Sequence, residues 1–443
     1  MQWRDFIKGL FQINLTVTAT EGSSARNIIQ IVLFHPLMLV IGLLILLLLI
    51  LSRLVYPKPP EVMAGDIRIA VMGFAVTAPS DDTNLGTSVA ESLVTNLQQA
   101  LDDLDFEFSY VVWGPDQVGS VTGKNSKSRA QQAQVVAEQV NATVVVYGVI
   151  DTTQSVWHVV PEFYLVGLSF TDAAELDVTG EHQLGNSFDI PGFGDAASQM
   201  RLTSELAERS KILAQLLIGL AFYATRDFER AYEEFAKLEL ADDWDESIGG
   251  EQLLYLLLGN TAGRNKNMDL AEEHYLKALD IDPEYSRAFA GLGNVYFIRA
   301  LSTDDPNASL AETDLEMLEQ SIHYYEQAQT AQHQPALSDI ETKVHFGLGQ
   351  AYYIYSHADE NVMVAPAIPE FGAVIEAYNH GANPRLRELA AESYTRLGAI
   401  HNAGGDKESA VKFYQRAIEL FEEIGNLERR DFVEEQLRNI QSS

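Results

Sequence analysis

The chain is 443 residues long, contains no cysteine and carries a formal charge of −33. Without cysteine it forms no disulfide, no thiolate metal site and no cysteine nucleophile, although this does not fix its compartment. Residues 1–58 hold five basic and two acidic residues, so the remainder carries a formal charge of −36. Such a surface repels nucleic-acid phosphates and anionic lipid, and neither is an expected ligand of the soluble part.

An apolar stretch near the N-terminus predicts a membrane anchor. Pro36 to Leu51 are sixteen residues without a charged side chain, and apolar residues extend back to Ile28. A helix needs about 20 apolar residues to cross a bilayer. A signal peptide is the alternative, but its apolar core is usually ~7–15 residues and no small-residue cleavage site follows this one. We therefore predict a single-pass membrane protein in which residues 32–55 lie in the lipid bilayer.

The segments flanking this span are less informative. Residues 1–31 carry aromatic side chains at helical spacing, which fits either an interfacial helix or an ordinary tail before the anchor. A proline-containing linker follows at 56–63. Arg53, Lys58 and Arg68 weakly favour a cytoplasmic C-terminal side, but basic residues near the N-terminus oppose them. The side of the membrane that holds the soluble part stays open.

Residues 64–192 alternate between strand and helix patterns. The predicted strands are Ile67–Val76, Phe108–Trp113, Ala142–Ile150, Val156–Leu168 and Gly180–Ile190. Between them, Thr87–Leu104 and residues 127–140 have apolar side chains on one helical face. Repeated strand–helix–strand units imply right-handed crossovers, and the last two strands look antiparallel. The pattern therefore predicts an α/β domain with a mixed sheet.

Four pieces of this region carry a resemblance to a known family. They are the strand end Gly73-Phe74, the helix start at Gly86, the segment Ala137–Ile150 and the late segment Leu176–Glu181. Together they resemble the amino-terminal domain of the TolB translocation protein and its relatives among bacterial envelope proteins. In that family the domain is a binding and assembly module without catalytic residues, which the resemblance implies here.

From residue 200 onward the chain is predicted to be helical and repetitive. Gly219, Gly259 and Gly398 are each followed twelve residues later by an alanine, and four residues after that by an aromatic residue. The small residues let two helices approach closely, and the aromatic side chain fills the gap to the next helix pair. This spacing resembles the tetratricopeptide repeat. Gly293 and Gly349 open two less regular units.

The third unit is completed by Tyr325 with Ala328, and the fourth less clearly by Ala377. We predict about five repeats at 200–424 and a capping helix at 425–443. The expected fold class is thus multidomain: a single transmembrane helix, an α/β domain with a mixed sheet, and an all-α solenoid of tetratricopeptide repeats.

No stretch of the chain predicts an active site. The segment from Gly119 to Lys124 looks like a phosphate loop, but that motif needs a glycine where Val118 stands and a Ser or Thr where Asn125 stands. The ten histidines show no metal-ligand spacing, and carboxylates are too abundant to single out an acid/base pair. We expect no catalytic residue, no metal and no cofactor.

The concave face of the repeats is the predicted binding site. In the repeat that this chain resembles, positions 2, 5, 9 and 12 point into that face, with the marker glycine at position 8. The candidate groove residues are Asn260, Arg287, Asn294, Phe297, Lys343, Phe346, Gln350, Tyr353 and Asn402. Their amide and cationic groups suit an acidic group or a free carboxylate of a peptide. The alternative, that they are ordinary exposed helix residues, stays open.

Two functions are compatible with this organisation. The favoured one is a membrane-anchored, non-enzymatic scaffold that binds partner proteins or peptides through the repeats. The alternative is a membrane-bound sensor or regulator, in which the α/β domain binds a small ligand or an envelope component and the repeats transmit its state. The sequence names neither the partner nor the oligomeric state.

Overall fold

The computed structural model describes residues 62–77, 83–166, 178–191, 196–240, 248–301, 313–332, 339–359, 363–381 and 386–442. The predicted bilayer span at 32–55 and the segment 1–31 lie outside these residues. Within the described ranges, no helix is both long and apolar enough to cross a bilayer. The anchor therefore stays a prediction from the sequence.

The strands form one mixed sheet, as the alternating pattern predicted. They are β1 (Ile67–Val71), β2 (Ala75–Thr77), β3 (Tyr110–Trp113), β4 (Val144–Asp151), β5 (Val156–Leu165), β6 (Gly180–Gln183) and β7 (Phe188–Pro191). The main path runs in the order β3-β1-β4-β5-β6, while β2 pairs with β4 and β7 pairs with β5. Strand β1 is parallel to β3 and β4, whereas β5 is antiparallel to β4, β6 and β7.

The first predicted strand is divided in two. Ile67–Val76 was expected to be continuous, but the ladder is interrupted between β1 and β2, where Gly73 makes an isolated bridge with Ser120. A Cβ atom on Gly73 would lie 2.1 Å from Ser120 Oγ, so the two backbones meet only because residue 73 lacks a side chain. This contact brings the loop after the third strand against the first.

Helices cover both faces of the sheet. They are α1 (Thr83–Asp102), the short α2 (Pro115–Val118) and α3 (Ser126–Val140). Because side chains alternate along a strand, Ile69 and Val71 pack on the side of α1, while Ala70 packs on the side of α3. Helix α3 begins where Asn125 Oδ1 accepts a hydrogen bond from the backbone N–H of Ser128 at 2.8 Å. The residue that breaks the phosphate-loop pattern is therefore a helix cap.

The rest of the described chain is helical. The helices are α4 (Ala196–Ala224), α5 (Phe228–Leu240), α6 (Glu251–Arg264), α7 (Met268–Ile281), α8 (Ser286–Leu301), α9 (Leu315–Thr330), α10 (Ile340–Ala358), α11 (Ala367–Gly381), α12 (Arg387–Ala403), α13 (Lys407–Ile424) and α14 (Leu427–Ser442). Consecutive helices pack as pairs from α4 with α5 to α12 with α13, and α14 packs on α13.

Each marker glycine faces an aromatic ring of the second helix in its pair. A Cβ atom on Gly259 would lie 2.6 Å from the ring of Tyr275, and a Cβ atom on Gly291, in the next pair, would lie 2.5 Å from the same ring. Tyr275 is thus held between two helices that approach closely because glycine leaves room. The same contact recurs for Gly219 with Phe235, Gly293 with Tyr325, and Gly398 with Tyr414.

The fourth pair uses an aromatic residue that the sequence pattern did not reveal. A Cβ atom on Gly349 would lie 2.8 Å from the ring of Phe371 in α11, and that ring is fully buried. Phe371 follows Gly349 by 22 residues, whereas the regular units have a spacing of sixteen. The completing residue expected from sequence, Ala377, lies further along the same helix.

The α/β part and the helical array share one hydrophobic core. Helix α4 packs along α1, and the rings of Phe108 and Phe222 meet edge to face with their centroids 4.9 Å apart. Buried side chains form a continuous cluster from Ile67 in β1 to Val295 in α8. Residues 62–443 form one compact unit. The predicted end of the α/β domain at 192 and the predicted start of the repeats at 200 mark a change of secondary structure within this unit.

Candidate functional site

Five of the nine predicted groove residues line one pocket of the helical array. They are Asn260, Asn294, Lys343, Phe346 and Gln350, and the pocket has a volume of about 280 Å³. We call it the groove pocket. Its side chains come from α6, α8 and α10, the first helices of three consecutive pairs, together with the rings of Tyr275 and Tyr325 from the second helices.

The close packing of the array positions these side chains. Tyr275 lies between α6 and α8, and Tyr325 fills the corresponding space between α8 and α10. Three first helices therefore run side by side and present their polar residues to the same pocket. Lys343 and Gln350 are seven residues apart on α10, which corresponds to about two helical turns, so they share one helix face.

Asn260 is buried at the wall of the groove pocket. Its side chain is only 6% exposed. Its Oδ1 accepts a hydrogen bond from the Tyr275 hydroxyl at 2.8 Å, which fixes the orientation of the amide. Its Nδ2 has no hydrogen-bond partner among the described residues. This donor is itself buried, so Asn260 shapes the pocket wall through its bond to Tyr275.

Sequence reasoning missed one cationic residue of this pocket. Arg264, at the end of α6, also lines it and is exposed. It follows the marker Gly259 by five residues, which places it at position 13 of the repeat, one beyond position 12, the last position used to select the candidates. Two cationic side chains, Arg264 and Lys343, therefore border a pocket in a chain whose formal charge is −33.

Arg287 does not lie in the groove pocket, and its expected exposure on the concave face is wrong. The residue is 2% exposed, because the edge strand β6 covers the first turn of α8. Arg287 Nη2 donates to the carbonyl oxygen of Thr179 at 2.7 Å, and Nη1 lies 2.8 Å from His182 Nε2. The repeat pattern predicts the direction in which this side chain points. It does not predict that the α/β part covers the side chain.

Burial keeps the partner of Arg287 neutral. The His182 ring is stacked on Phe163 with centroids 5.0 Å apart. Burial, and secondarily the positive charge of Arg287, hold the pKa of His182 well below its usual value. His182 Nε2 also lies 2.7 Å from the carbonyl oxygen of Val178, and because the ring is neutral the contact between α8 and β6 avoids a buried pair of like charges.

Three other predicted residues lie outside the groove pocket. Phe297 and Tyr353 are half-buried and pack around Leu318 of α9. The Tyr353 ring also lies below the Arg396 guanidinium, whose carbon is 5.1 Å from the ring centroid. Asn402 is exposed in the last turn of α12. Within the described ranges, no group of three or more histidine and carboxylate side chains could hold a metal ion.

Two helix pairs match a known family model. Residues 253–285, in α6 and α7, and residues 391–423, in α12 and α13, match the model described as tetratricopeptide repeat. The array thus contains tetratricopeptide repeats, and proteins built from them generally act as scaffolds for protein interaction. No curated protein matches the chain in sequence.

Solved structures also show some similarity to this chain. A thermophilic tetratricopeptide repeat protein of Thermus thermophilus is 17% identical with a TM-score of 0.35, and the match covers 49% of this chain and 96% of that one. MamA is 17% identical with a TM-score of 0.31, covering 47% and 97%. A monomeric mutant of IFIT1, solved with Gppp-AAAA, is 14% identical with a TM-score of 0.25, covering 51% and 56%.

Proposed function

We propose that the protein is a membrane-anchored, non-enzymatic scaffold whose groove pocket binds an acidic group or a free carboxylate of a partner peptide. Residues 32–55 would hold it in the bilayer, by the argument from the sequence. The observation that carries the proposal is that two cationic side chains, Lys343 and Arg264, line one pocket of a chain whose formal charge is −33.

The neighbouring charges support an anionic group as the ligand. Lys343 and Arg264 line the same pocket as Asn260, and Asn294 and Gln350 add two amides. Charge-assisted hydrogen bonds to a carboxylate are stronger than bonds between neutral groups.

Binding of a peptide library to the full-length chain tests the proposal. Acidic peptides with a free C-terminal carboxylate are compared with neutral analogues, in which Asn and Gln replace Asp and Glu and the C-terminus is an amide. Affinities are measured by fluorescence anisotropy. Lys343→Glu should weaken binding of the preferred peptide by roughly ten- to a hundredfold, because one charge-assisted contact is lost and a repulsive one is added.

The matched control is Lys127→Glu, which makes the same charge change at an exposed position of α3 outside the groove pocket. It should leave the affinity unchanged. Equal losses from both variants would contradict the proposal, because they would show only a general effect of net charge. Equal binding of the acidic peptides and their neutral, amidated analogues would contradict it as well.

A further inference from the structure

A large cleft lies between the α/β part and the array, apart from the groove pocket. Its volume is about 1050 Å³. Strand β6 forms one wall, with Glu181, His182 and Gln183, and helices α5 to α8 form the other. Small-molecule sites commonly occupy ~300–1,000 Å³ and occur preferentially where two structural units meet. We call this space the joint cleft.

Carboxylates predominate among the charged residues that line the joint cleft. Glu181, Glu239, Glu251 and Asp282 line it, whereas Arg287 is its one lining cation among the described residues. Arg287 is buried against Thr179 and His182, and His182 stays neutral. Lys277 pairs with Glu239 from beside the lining, so four carboxylates stand beside two cationic side chains, and the excess negative charge would repel an anionic ligand and attract a cation.

Apolar and aromatic surfaces lie between the carboxylates. Leu253, Leu254 and Ile281 supply the aliphatic part, and Tyr255 and Tyr285 supply aromatic rings. A compact inorganic cation would leave these surfaces without a partner. A ligand that alternates methylene groups with ammonium groups would contact both the aliphatic walls and the carboxylates, and aromatic faces also attract ammonium groups.

The protein already holds one aliphatic ammonium at this place. Lys277 Nζ lies 3.2 Å from a carboxylate oxygen of Glu239 and 3.1 Å from one of Glu273, and it stands 5.4 Å from the centroid of the Tyr255 ring. Glu239 and Tyr255 both line the joint cleft. Lys277 therefore shows that Glu239 and Tyr255, two lining residues of the joint cleft, can bind an alkylammonium group.

Glu251 offers a second carboxylate for the same chemistry. It lies in the first turn of α6, lines the joint cleft and has no ion pair or hydrogen bond from its side chain among the described residues. We propose that the joint cleft binds a linear aliphatic polyamine, with its ammonium groups at Glu239 and Glu251 and its methylene chain along Leu253 and Leu254. This site is separate from the groove pocket and does not depend on peptide binding there.

Calorimetric titration of the full-length chain with spermidine tests the inference. The expected result is one saturable site for spermidine and no measurable heat with 1,8-octanediol, a neutral chain of similar length. The double change Glu239→Gln with Glu251→Gln should lower the affinity by roughly tenfold or more, because two charged contacts are lost.

The control is Glu229→Gln with Glu233→Gln, which removes the same two charges from exposed positions of α5 outside the joint cleft. Circular dichroism melting checks that both double variants stay folded. Equal losses of affinity in the two variants would overturn the inference, because they would show diffuse attraction to an acidic protein. Absence of saturable binding, unchanged affinity in the Glu239/Glu251 variant, or comparable binding of the diol would overturn it too.

Discussion

Arg287 and Thr179 are 108 positions apart in the sequence, and Nη2 of the arginine donates to the carbonyl oxygen of the threonine at 2.7 Å. The same guanidinium lies 2.8 Å from His182 Nε2. One side chain of α8 thereby satisfies a backbone acceptor at the start of β6 and holds the array against the edge of the sheet. A residue expected to recognise a partner instead connects two parts of its own chain.

The first prediction is that Arg287→Met destabilises the protein. The change removes the donor of a buried carbonyl group, which costs about 1–3 kcal/mol, and it leaves the His182 ring without its charged neighbour. The urea midpoint, followed by far-ultraviolet circular dichroism, should fall. Arg438→Met, at an exposed position of α14, should change stability by less than about 0.5 kcal/mol. A midpoint equal to that of this control would show that the contact with β6 contributes nothing.

The second prediction distinguishes two glycines of the fourth helix pair. A Cβ atom on Gly349 would lie 2.8 Å from the Phe371 ring, so Gly349→Ala should lower the unfolding midpoint by forcing α10 and α11 apart, at a cost of about 1–3 kcal/mol. Gly372→Ala, beside Phe371 on α11, meets no atom within 4 Å and should instead stabilise the helix by about 0.5–1 kcal/mol. A shift of the midpoint in the same direction for both variants would contradict the inferred close packing of Gly349 against the Phe371 ring.

The third prediction concerns pH. His345 Nδ1 lies 2.7 Å from Glu370 Oε2, and this hydrogen bond raises the pKa of the histidine. A base whose pKa is higher in the folded state contributes stability that is fully present below its unfolded pKa, near 6.5, and is lost as the pH rises through the folded value. The difference in unfolding free energy between the unmodified protein and His345→Gln should therefore be largest at about pH 6 and shrink towards about pH 9.

Glu370→Gln is the control for this pH dependence. It removes the negative charge that favours the protonated ring while keeping the size of the side chain. When Glu370→Gln is present, adding His345→Gln should change the free energy of unfolding by an amount that no longer depends on pH. A difference between unmodified protein and His345→Gln that stays constant over this pH range would show that the histidine acts through packing alone.

Much of the fold follows from patterns that are local in the sequence. The interval of sixteen residues between Gly259 and Tyr275 has a direct cause, since the glycine of one helix must face the ring of the next. The mixed sheet likewise follows from strands that alternate with helices. Phe371 escaped detection because its spacing from Gly349 is irregular, and only the packed structure shows that the two residues meet.

The part of the candidate site that the repeated helices build by themselves was predictable from the sequence. Asn260, Asn294 and Gln350 converge because repeated helix pairs place equivalent positions on one face. Arg287 occupies the position that Lys343 has in the next pair, but β6 covers it. The contact between strand and array involves residues more than a hundred positions apart. Periodicity in the array carries no information about which of its faces another part of the chain covers.

The number of residues between Arg287 and Asn294 in helix α8 is fixed by the two contacts that these residues make. Arg287 reaches the sheet edge from its first turn, and Asn294, seven residues later, borders the groove pocket. Each residue of an α-helix adds a rotation of about 100° and a rise of ~1.5 Å, so inserting or deleting one residue between them would turn one side chain away from its neighbours. Among descendants of this sequence, insertions and deletions should therefore be absent between positions 287 and 294, however much the connections between helices vary in length.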